Sequence, residues 1–108
     1  MSFIYQHVNA VRVVDGDTVE LEIDVGNHMT WRENFRLAGI DAPEKGKPGH
    51  AAARKFLWDS IKNGFSSVET FKPDKFGRWL ADLYVDGAKI NDAMIAAGHA
   101  VPYFGGAR

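Results

Sequence analysis

Residues 11–25, VRVVDGDTVELEIDV, decide the fold of this chain, because two apolar runs meet there at an Asp-Gly pair. In the second run, apolar and acidic residues alternate along positions 19–25. Alternation with a period of two predicts an antiparallel strand with one face buried and the other in solvent. The run before Asp15-Gly16 predicts the partner strand, and the pair itself predicts the tight turn of a β-hairpin.

Three further segments carry strand patterns. Residues 30–37, TWRENFRL, alternate again and predict a third strand with Arg36 on its polar, solvent-facing side. Residues 66–71, SSVETF, and residues 79–85, WLADLYV, predict two more. With the hairpin, these segments give five short strands.

Two segments carry helical spacing instead. Residues 45–64, KGKPGHAAARKFLWDSIKNG, predict a helix, and Gly64 suits the position just after its end. Residues 90–98, INDAMIAAG, predict a short helix with Asn91 as N-cap and Gly98 as stop. The order βββαββα is what a small Greek-key barrel requires. We therefore predict an α+β, mainly β fold, an OB-type five-stranded barrel with two helices, in a single domain over residues 1–108.

Composition limits the possible functions. The chain has 108 residues, a formal charge of -1 and no cysteine, so thiolate metal sites, cysteine nucleophiles and disulfides are excluded. The near-neutral charge means that any anionic partner must be held by local rather than global charge. No export signal and no apolar run long enough for a membrane span is visible, so we expect a cytoplasmic protein without a membrane partner, with secretion by another route as the alternative. We also expect a monomer.

Acidic residues are placed where they could bind a metal ion. The stretch FRLAGIDAPE, residues 35–44, ends a strand with Asp41 and adds Glu44 after a proline. Calcium takes six to eight oxygen ligands from carboxylates, main-chain carbonyls and water. Asp17, Asp41 and the Ala42 carbonyl could supply three, whereas Asp17 alone would be an ordinary aspartate at the start of a strand. Asp15 is more readily explained by the turn.

Cationic residues lie near the same predicted strand ends. Lys75 and Arg78 flank Gly77 in the stretch KPDKFGRWLADLYVDG, residues 72–87. A guanidinium group can bind phosphoryl oxygens through two parallel hydrogen bonds, and it stabilises the charge that gathers on these oxygens during transfer. Arg36 and Arg78 could therefore act on a phosphodiester, while Lys75 is either a phosphate contact or a solvated loop lysine.

Four stretches in this order resemble the staphylococcal-nuclease-like (thermonuclease) family. They are VVDGDTVEL, FRLAGIDAPE, DKFGRWLADLYVDG and INDAMIAAGHAV, within residues 8–104. The resemblance implies an OB-type barrel and a calcium-dependent endonuclease that hydrolyses DNA and RNA phosphodiesters to 3′-phosphate ends. We expect single-stranded or breathing substrates to be preferred, because a shallow barrel face reaches one backbone.

The resemblance also implies roles for individual residues. Asp17 and Asp41 become metal ligands together with the Ala42 carbonyl, where some relatives carry threonine. Glu44 becomes the candidate general base, and the two arginines become phosphate clamps. Tyr103 either stacks on a substrate base or packs against the protein.

The main alternative is an OB-type module that binds nucleic acid or protein without cutting it. Modules of that kind in the family typically lack several of the acidic and arginine residues. This chain has the full set, which favours the enzyme. It departs from longer relatives in its short loop KGKPGH, residues 45–50, and in its end at PYFGGAR, residues 102–108.

Overall fold

A computed structural model describes residues 2–103, and within this range it contains nine strands and two helices. The strands are β1 (Ser2–Tyr5), β2 (Val8–Asp15), β3 (Thr18–Gly26), β4 (Met29–Leu37), β5 (Ile40–Asp41), β6 (Ser67–Phe71), β7 (Trp79–Val85), β8 (Ala88–Lys89) and β9 (Val101–Pro102). The helices are α1 (His50–Ile61) and α2 (Ile90–Ala96). Neither helix is long and apolar enough to cross a membrane.

The main sheet follows the path β1-β6-β7-β4-β3-β2, with β8 paired to β7 beside it. β2, β3 and β4 form the antiparallel meander that the sequence predicts, whereas β4 lies parallel to β7. The two ends of the path, β1 and β2, are joined only by residues 6–7. The chain thus links both edges of the sheet, which curls into a barrel. The predicted fold, mainly β with two helices in an OB-type arrangement, is confirmed.

The core fills the barrel and continues beneath α1. The alternation of β3 places every second residue inside, and α1 contributes one residue per turn at four-residue spacing. The fully buried residues of these two elements are Val19, Leu21, Ile23, Ala53, Leu57 and Ile61. Burying each of the larger side chains contributes about 1.5–3 kcal/mol, so the hairpin and α1 supply much of the stabilisation.

Several details differ from the sequence prediction. β1 is a separate strand that pairs with β6 at the opposite edge of the sheet from β2, and β5, β8 and β9 are too short to show an alternating pattern. Asn91 is not the N-cap of α2, because Lys89 occupies that position. The Asn91 side chain instead points inward, where Oδ1 accepts from the Leu83 N–H at 3.0 Å and Nδ2 donates to the Ala81 carbonyl at 3.1 Å. It therefore fastens α2 to β7.

Candidate active site

One end of the barrel holds an open cleft of about 640 Å³, lined by residues around the ends of β2, β3, β4 and β5 and by the loop before β7. Its charged lining comprises four carboxylates and three cationic groups. These are Asp15, Asp17, Asp41 and Glu44, and Arg36, Lys47 and Arg78. The mixture of both signs suits a ligand that pairs a cation with an anion.

Arg36 is buried, and the expectation that it faces solvent is wrong. Its side chain is 10% exposed. Two carboxylates and a carbonyl surround the guanidinium. Nη1 donates to Asp17 Oδ2 at 3.1 Å, and Nη2 donates to Asp41 Oδ1 at 3.2 Å. Nη2 also donates to the Ile40 carbonyl at 3.0 Å. The polar face of β4 is therefore covered at Arg36 by the chain that returns through β5.

Asp17 lies at the centre of this group and is also buried. Besides Arg36, its Oδ2 accepts the Ala42 N–H at 2.9 Å, and its Oδ1 accepts the Thr18 hydroxyl at 3.1 Å. The Leu37 N–H donates to the Asp17 carbonyl at 2.7 Å, which extends the pairing of β3 with β4. Asp17 thus holds the segment that carries Asp41 and Ala42 against the barrel. We call Asp17, Arg36 and Asp41 the acidic corner.

Gly16 allows the turn before Asp17 to pack closely. A Cβ at this position would lie 2.7 Å from the Ala53 Cβ and 2.9 Å from the Ala42 Cβ. Both distances are shorter than real Cβ contacts. The Asp-Gly pair therefore does more than reverse the chain, since it seats the turn between α1 and the residue after Asp41.

The far wall of the cleft is built by the chain around β5 and β9. These strands pair through Ile40 with Pro102 and Asp41 with Val101. The Tyr103 N–H donates to the Gly39 carbonyl at 2.8 Å, and the Tyr103 ring centroid lies 5.3 Å from Arg36 Cζ. Tyr103 accordingly lies at the cleft as a neighbour of the acidic corner.

Arg78 belongs to a different structure, the loop of residues 72–78 before β7. Its Nε donates to Asp74 Oδ2 at 3.0 Å, and its Nη2 lies 2.9 Å from the same oxygen. Asp74 Oδ1 accepts the N–H groups of Phe76 at 2.8 Å and Arg78 at 3.0 Å. Burial would raise the pKa of Asp74, but these backbone hydrogen bonds and Arg78 hold it below its ordinary value. We call this the Asp74 loop.

The structure places most of the predicted residues at one cleft. Asp17, Asp41, Ala42, Glu44, Arg36, Arg78 and Tyr103 line it, whereas Lys75 does not. Lys75 is exposed in the Asp74 loop, where its Nζ lies 5.3 Å from the Phe76 ring centroid. Sequence reasoning missed Lys47 at the cleft, and it set Asp15 aside as a turn residue. The sequence signal for Lys47 is only its position three residues after Glu44.

The donors of the acidic corner fit a hard cation in part. Asp17 and Asp41 both offer carboxylate oxygens, the ligands that calcium prefers, and neither histidine nor cysteine is among the described lining residues. Within residues 2–103, no three His, Cys, Asp or Glu side chains group closely enough to hold an ion by themselves. A cation here would therefore need main-chain, water or ligand oxygens as well. Zinc, which favours nitrogen and sulfur ligands, is a poor match.

Fold and cleft together define an OB-type barrel with acidic and guanidinium side chains gathered at one end. The family model described as "Staphylococcal nuclease homologue" matches residues 34–107. The chain belongs to this family, and the resemblance seen in its sequence is confirmed.

Individual relatives agree with this assignment. An "Uncharacterized endonuclease" of Escherichia coli O157:H7 is 34% identical over 100 residues, which cover 90% of this chain and 61% of the relative. A "Micrococcal nuclease" of Shigella flexneri is 38% identical over 74 residues, 68% of this chain and 40% of that protein. A "Probable staphylococcal-like nuclease" of Oryza sativa subsp. japonica is 34% identical over 75 residues, 69% of this chain and 23% of the relative. The chain thus spans about three fifths of the Escherichia coli protein and less of the other two.

Proposed function

We propose that this chain is an endonuclease that hydrolyses phosphodiester bonds of DNA and RNA to 3′-phosphate ends, with Ca²⁺ as its metal ion. The observation that carries the proposal is the placement of two guanidinium groups, those of Arg36 and Arg78, at one open cleft with the carboxylates of Asp17, Asp41 and Glu44. Family membership and the relatives named as nucleases support it.

The arginines have distinct parts in this proposal. Phosphoryl transfer gathers negative charge on the equatorial oxygens of the phosphate, and guanidinium groups stabilise it. Arg78 is 45% exposed and lines the cleft, so it can approach a phosphate without unfolding its surroundings. Arg36 holds Asp17 and Asp41 and adds positive charge beneath the phosphate. We assign Arg78 as the mobile clamp and Arg36 as the fixed one.

Glu44 is the proposed general base. It is exposed at the cleft, two residues after Ala42, and Pro43 between them favours an extended backbone at Ala42. A carboxylate there can orient the attacking water and accept its proton. The N–H of Lys47 donates to the Glu44 carbonyl at 3.0 Å, which gives the segment a defined turn.

The proposed Ca²⁺ would be held by Asp17, Asp41 and the Ala42 carbonyl, with water and phosphate oxygens completing its ligands. When bound, it supplies Lewis-acid polarisation of a phosphate oxygen. The Ala42 N–H bond to Asp17 supports this assignment, since it ties two of the three ligand residues together at 2.9 Å.

Single-stranded or breathing nucleic acid is the proposed substrate form. The cleft is open, and one backbone can enter it without the second strand of a duplex having to fit against the barrel. Tyr103 at the cleft offers a ring on which a neighbouring base can stack, and such stacking tolerates any sequence.

The deciding experiment is cleavage of heat-denatured DNA with calcium, with zinc and with a chelator, for wild type and Asp41→Asn. We expect calcium to support cleavage, zinc to replace it poorly, and Asp41→Asn to lower the rate by at least about a hundredfold. Asp86→Asn is the matched control, because Asp86 has a φ of 52°, in the left-handed region that asparagine tolerates, and lies in the turn after β7.

Two results would contradict the proposal. Cleavage that survives exhaustive chelation would remove the metal ion from the mechanism. Strand binding without any cleavage would instead favour the non-catalytic module, and the Asp41→Asn variant would then bind as wild type does or more tightly.

A further inference from the structure

A second groove of about 430 Å³ lies between β2 and α1. Its lining includes four side chains that carry or can gain positive charge and one large aromatic ring. These are Arg12, His50, Arg54, Lys55 and Trp58. No acidic side chain lines the groove within the described part of the chain. Its charge therefore suits an anionic ligand, unlike the mixed charge of the cleft.

Three of these residues form a ridge along α1. His50, Arg54 and Trp58 follow one another at intervals of four residues, so they share one face of the helix. With a rise of about 1.5 Å per residue, the ridge is about 12 Å long. This length provides several successive contacts for an extended chain rather than a single point of attachment.

The groove begins where the cleft ends. His50 Nδ1 lies 3.1 Å from the Pro43 carbonyl oxygen and 3.7 Å from Asp15 Oδ1. Pro43 and Asp15 both line the cleft, and His50 lines the groove. A strand whose phosphate lies at the acidic corner can therefore continue past His50 along α1.

Arg54 and Trp58 are the residues suited to contact such a strand. Arg54 Nε donates to the Val13 carbonyl at 3.0 Å, and no carboxylate within residues 2–103 pairs with it. Trp58 is 38% exposed, while Trp31 and Trp79 pack against each other with ring centroids 5.0 Å apart. Cations beside an exposed ring are what proteins use to hold single strands, since phosphates meet the charge and bases stack on the ring.

Arg12 and Lys55 contribute less, because each already has a carboxylate partner. Arg12 Nε lies 2.9 Å from Glu20 Oε1, and Lys55 Nζ lies 2.6 Å from Asp59 Oδ2. Both side chains are largely exposed. They add positive field at the rim of the groove, whereas Arg54 and Trp58 supply the specific contacts.

We propose that this groove is a second binding site for the same nucleic-acid strand, which runs from the cleft past His50 and stacks a base on Trp58. The inference rests on the proposed function, because the cleft must hold a phosphodiester for the strand to be placed this way. An acidic peptide could match the charge, but it would not use the path from the cleft or the face of the indole ring.

Binding is measured with a chelator present, so that no strand is cut. The probe is an oligothymidylate of about 12 nucleotides, within the length range that one OB fold covers. We expect Trp58→Ala to weaken its binding roughly tenfold, and Trp58→Phe, which keeps a ring, to stay within about threefold of wild type. Loss of tryptophan fluorescence quenching in Trp58→Phe would locate the base at this position.

Arg54→Gln tests the phosphate contact separately. Removing one contact to a single strand should reduce the slope of log affinity against log salt by about 0.7, which a loss of stability alone does not produce. Phe3→Ala and Arg32→Gln are matched controls, because both residues are exposed and lie outside the cleft and the groove. Both controls should bind as wild type does.

Wild-type affinity in Trp58→Ala, or an unchanged salt slope in Arg54→Gln, would overturn the groove as a strand site. Competition by a glutamate-rich peptide at an affinity equal to that of the strand, lost in the same variants, would overturn its assignment to nucleic acid. Failure of calcium-dependent cleavage, together with strand binding that weakens in Trp58→Ala, would overturn the proposed hydrolysis while supporting the groove. A wild-type protein that binds no strand would overturn the groove directly.

Discussion

Arg36 and Arg78 line the same cleft, but the fold holds them in opposite ways. Arg36 is 10% exposed and donates to Asp17, which lies 19 residues away in the chain, as well as to Asp41 and the Ile40 carbonyl nearby in sequence. Arg78 is 45% exposed, and its guanidinium binds Asp74, four residues away in the same loop. The acidic corner is thus part of the tertiary structure, whereas the Asp74 loop is locally organised.

The difference separates two uses of one residue type. A buried arginine between two carboxylates cannot be removed without leaving charge uncompensated in the interior. An exposed arginine that pairs within its own loop contributes little to stability, because water screens the pair. An aromatic ring lies near each arginine: the Tyr103 ring centroid is 5.3 Å from Arg36 Cζ, and the Phe76 ring centroid is 5.2 Å from Arg78 Cζ. Function and stability should therefore be separable at Arg78 and inseparable at Arg36.

The largest effect is expected for Arg36→Ala. Without the guanidinium, Asp17 keeps its charge in a buried position, so the free energy of unfolding should fall by about 3–5 kcal/mol. Cleavage should fall by at least about a hundredfold. Urea unfolding and initial cleavage rates measure the two effects.

Arg36→Lys is the control for charge alone. It keeps one positive charge but cannot reach both carboxylates as a planar fork does. Stability should be partly restored and activity should remain low. If Arg36→Ala unfolds at the same urea concentration as wild type, Arg36 does not stabilise the fold through the acidic corner.

Arg78→Ala should separate the two properties. We expect at least about a hundredfold loss of cleavage, because a donor to the phosphate is removed. Unfolding free energy should change by no more than about 0.5 kcal/mol, as for other surface substitutions. A loss of stability as large as that of Arg36→Ala, or cleavage at the wild-type rate, would contradict this separation of function from stability at Arg78.

The sequence predicted the parts of this comparison that depend on local pattern. Alternation gave the hairpin and the strand that carries Arg36, and Gly77 beside Arg78 indicated a loop. Burial of Arg36 could not be predicted, because it depends on the chain turning at Gly39 and bringing Asp41 back to β4. Asn91 was misplaced for a related reason: an asparagine near the start of a helix usually caps it, and only the packing of α2 on β7 turns it inward.

Tyr103→Ala should have a smaller effect on function than the loss of either arginine. If the ring stacks on a base, KM for single strands should rise roughly tenfold, which corresponds to about 1–3 kcal/mol per stacked base. Tyr103→Phe keeps the ring and should retain the wild-type KM. Initial rates on a single strand and on a GC-rich duplex of equal length provide the comparison. If wild type cuts the single strand and the duplex at equal rates, and Tyr103→Ala is indistinguishable from wild type, then Tyr103 does not stack on a base. The arginines and the cation would then account for substrate binding on their own.

The smallest effect concerns acid stability of the Asp74 loop. The pKa of Asp74 is lowered from 3.8: burial opposes this shift, but hydrogen bonds from the backbone of Arg78 and Phe76 and from the Arg78 side chain outweigh it. A depressed pKa in the folded state means that the unfolded chain takes up the proton first as the pH falls. The contribution of Asp74 is therefore complete above pH 3.8 and is lost as the pH falls through the lower pKa of the folded state.

Asp82 works in the other direction and makes a single acid titration ambiguous. Burial raises the pKa of Asp82, although Lys89 opposes the shift, with Nζ 3.4 Å from Asp82 Oδ2. Its protonation favours the folded state as the pH falls, so Asp74 and Asp82 change the stability of wild type in opposite directions.

The useful quantity is the difference in unfolding free energy between wild type and Asp74→Asn, at about pH 6 and about pH 3. We expect the variant to be less stable by at most about 1 kcal/mol at the higher pH, with the difference shrinking at the lower one. A difference that is the same at both would mean that Asp74 supports the loop as a hydrogen-bond acceptor and that its charge on Arg78 contributes nothing measurable.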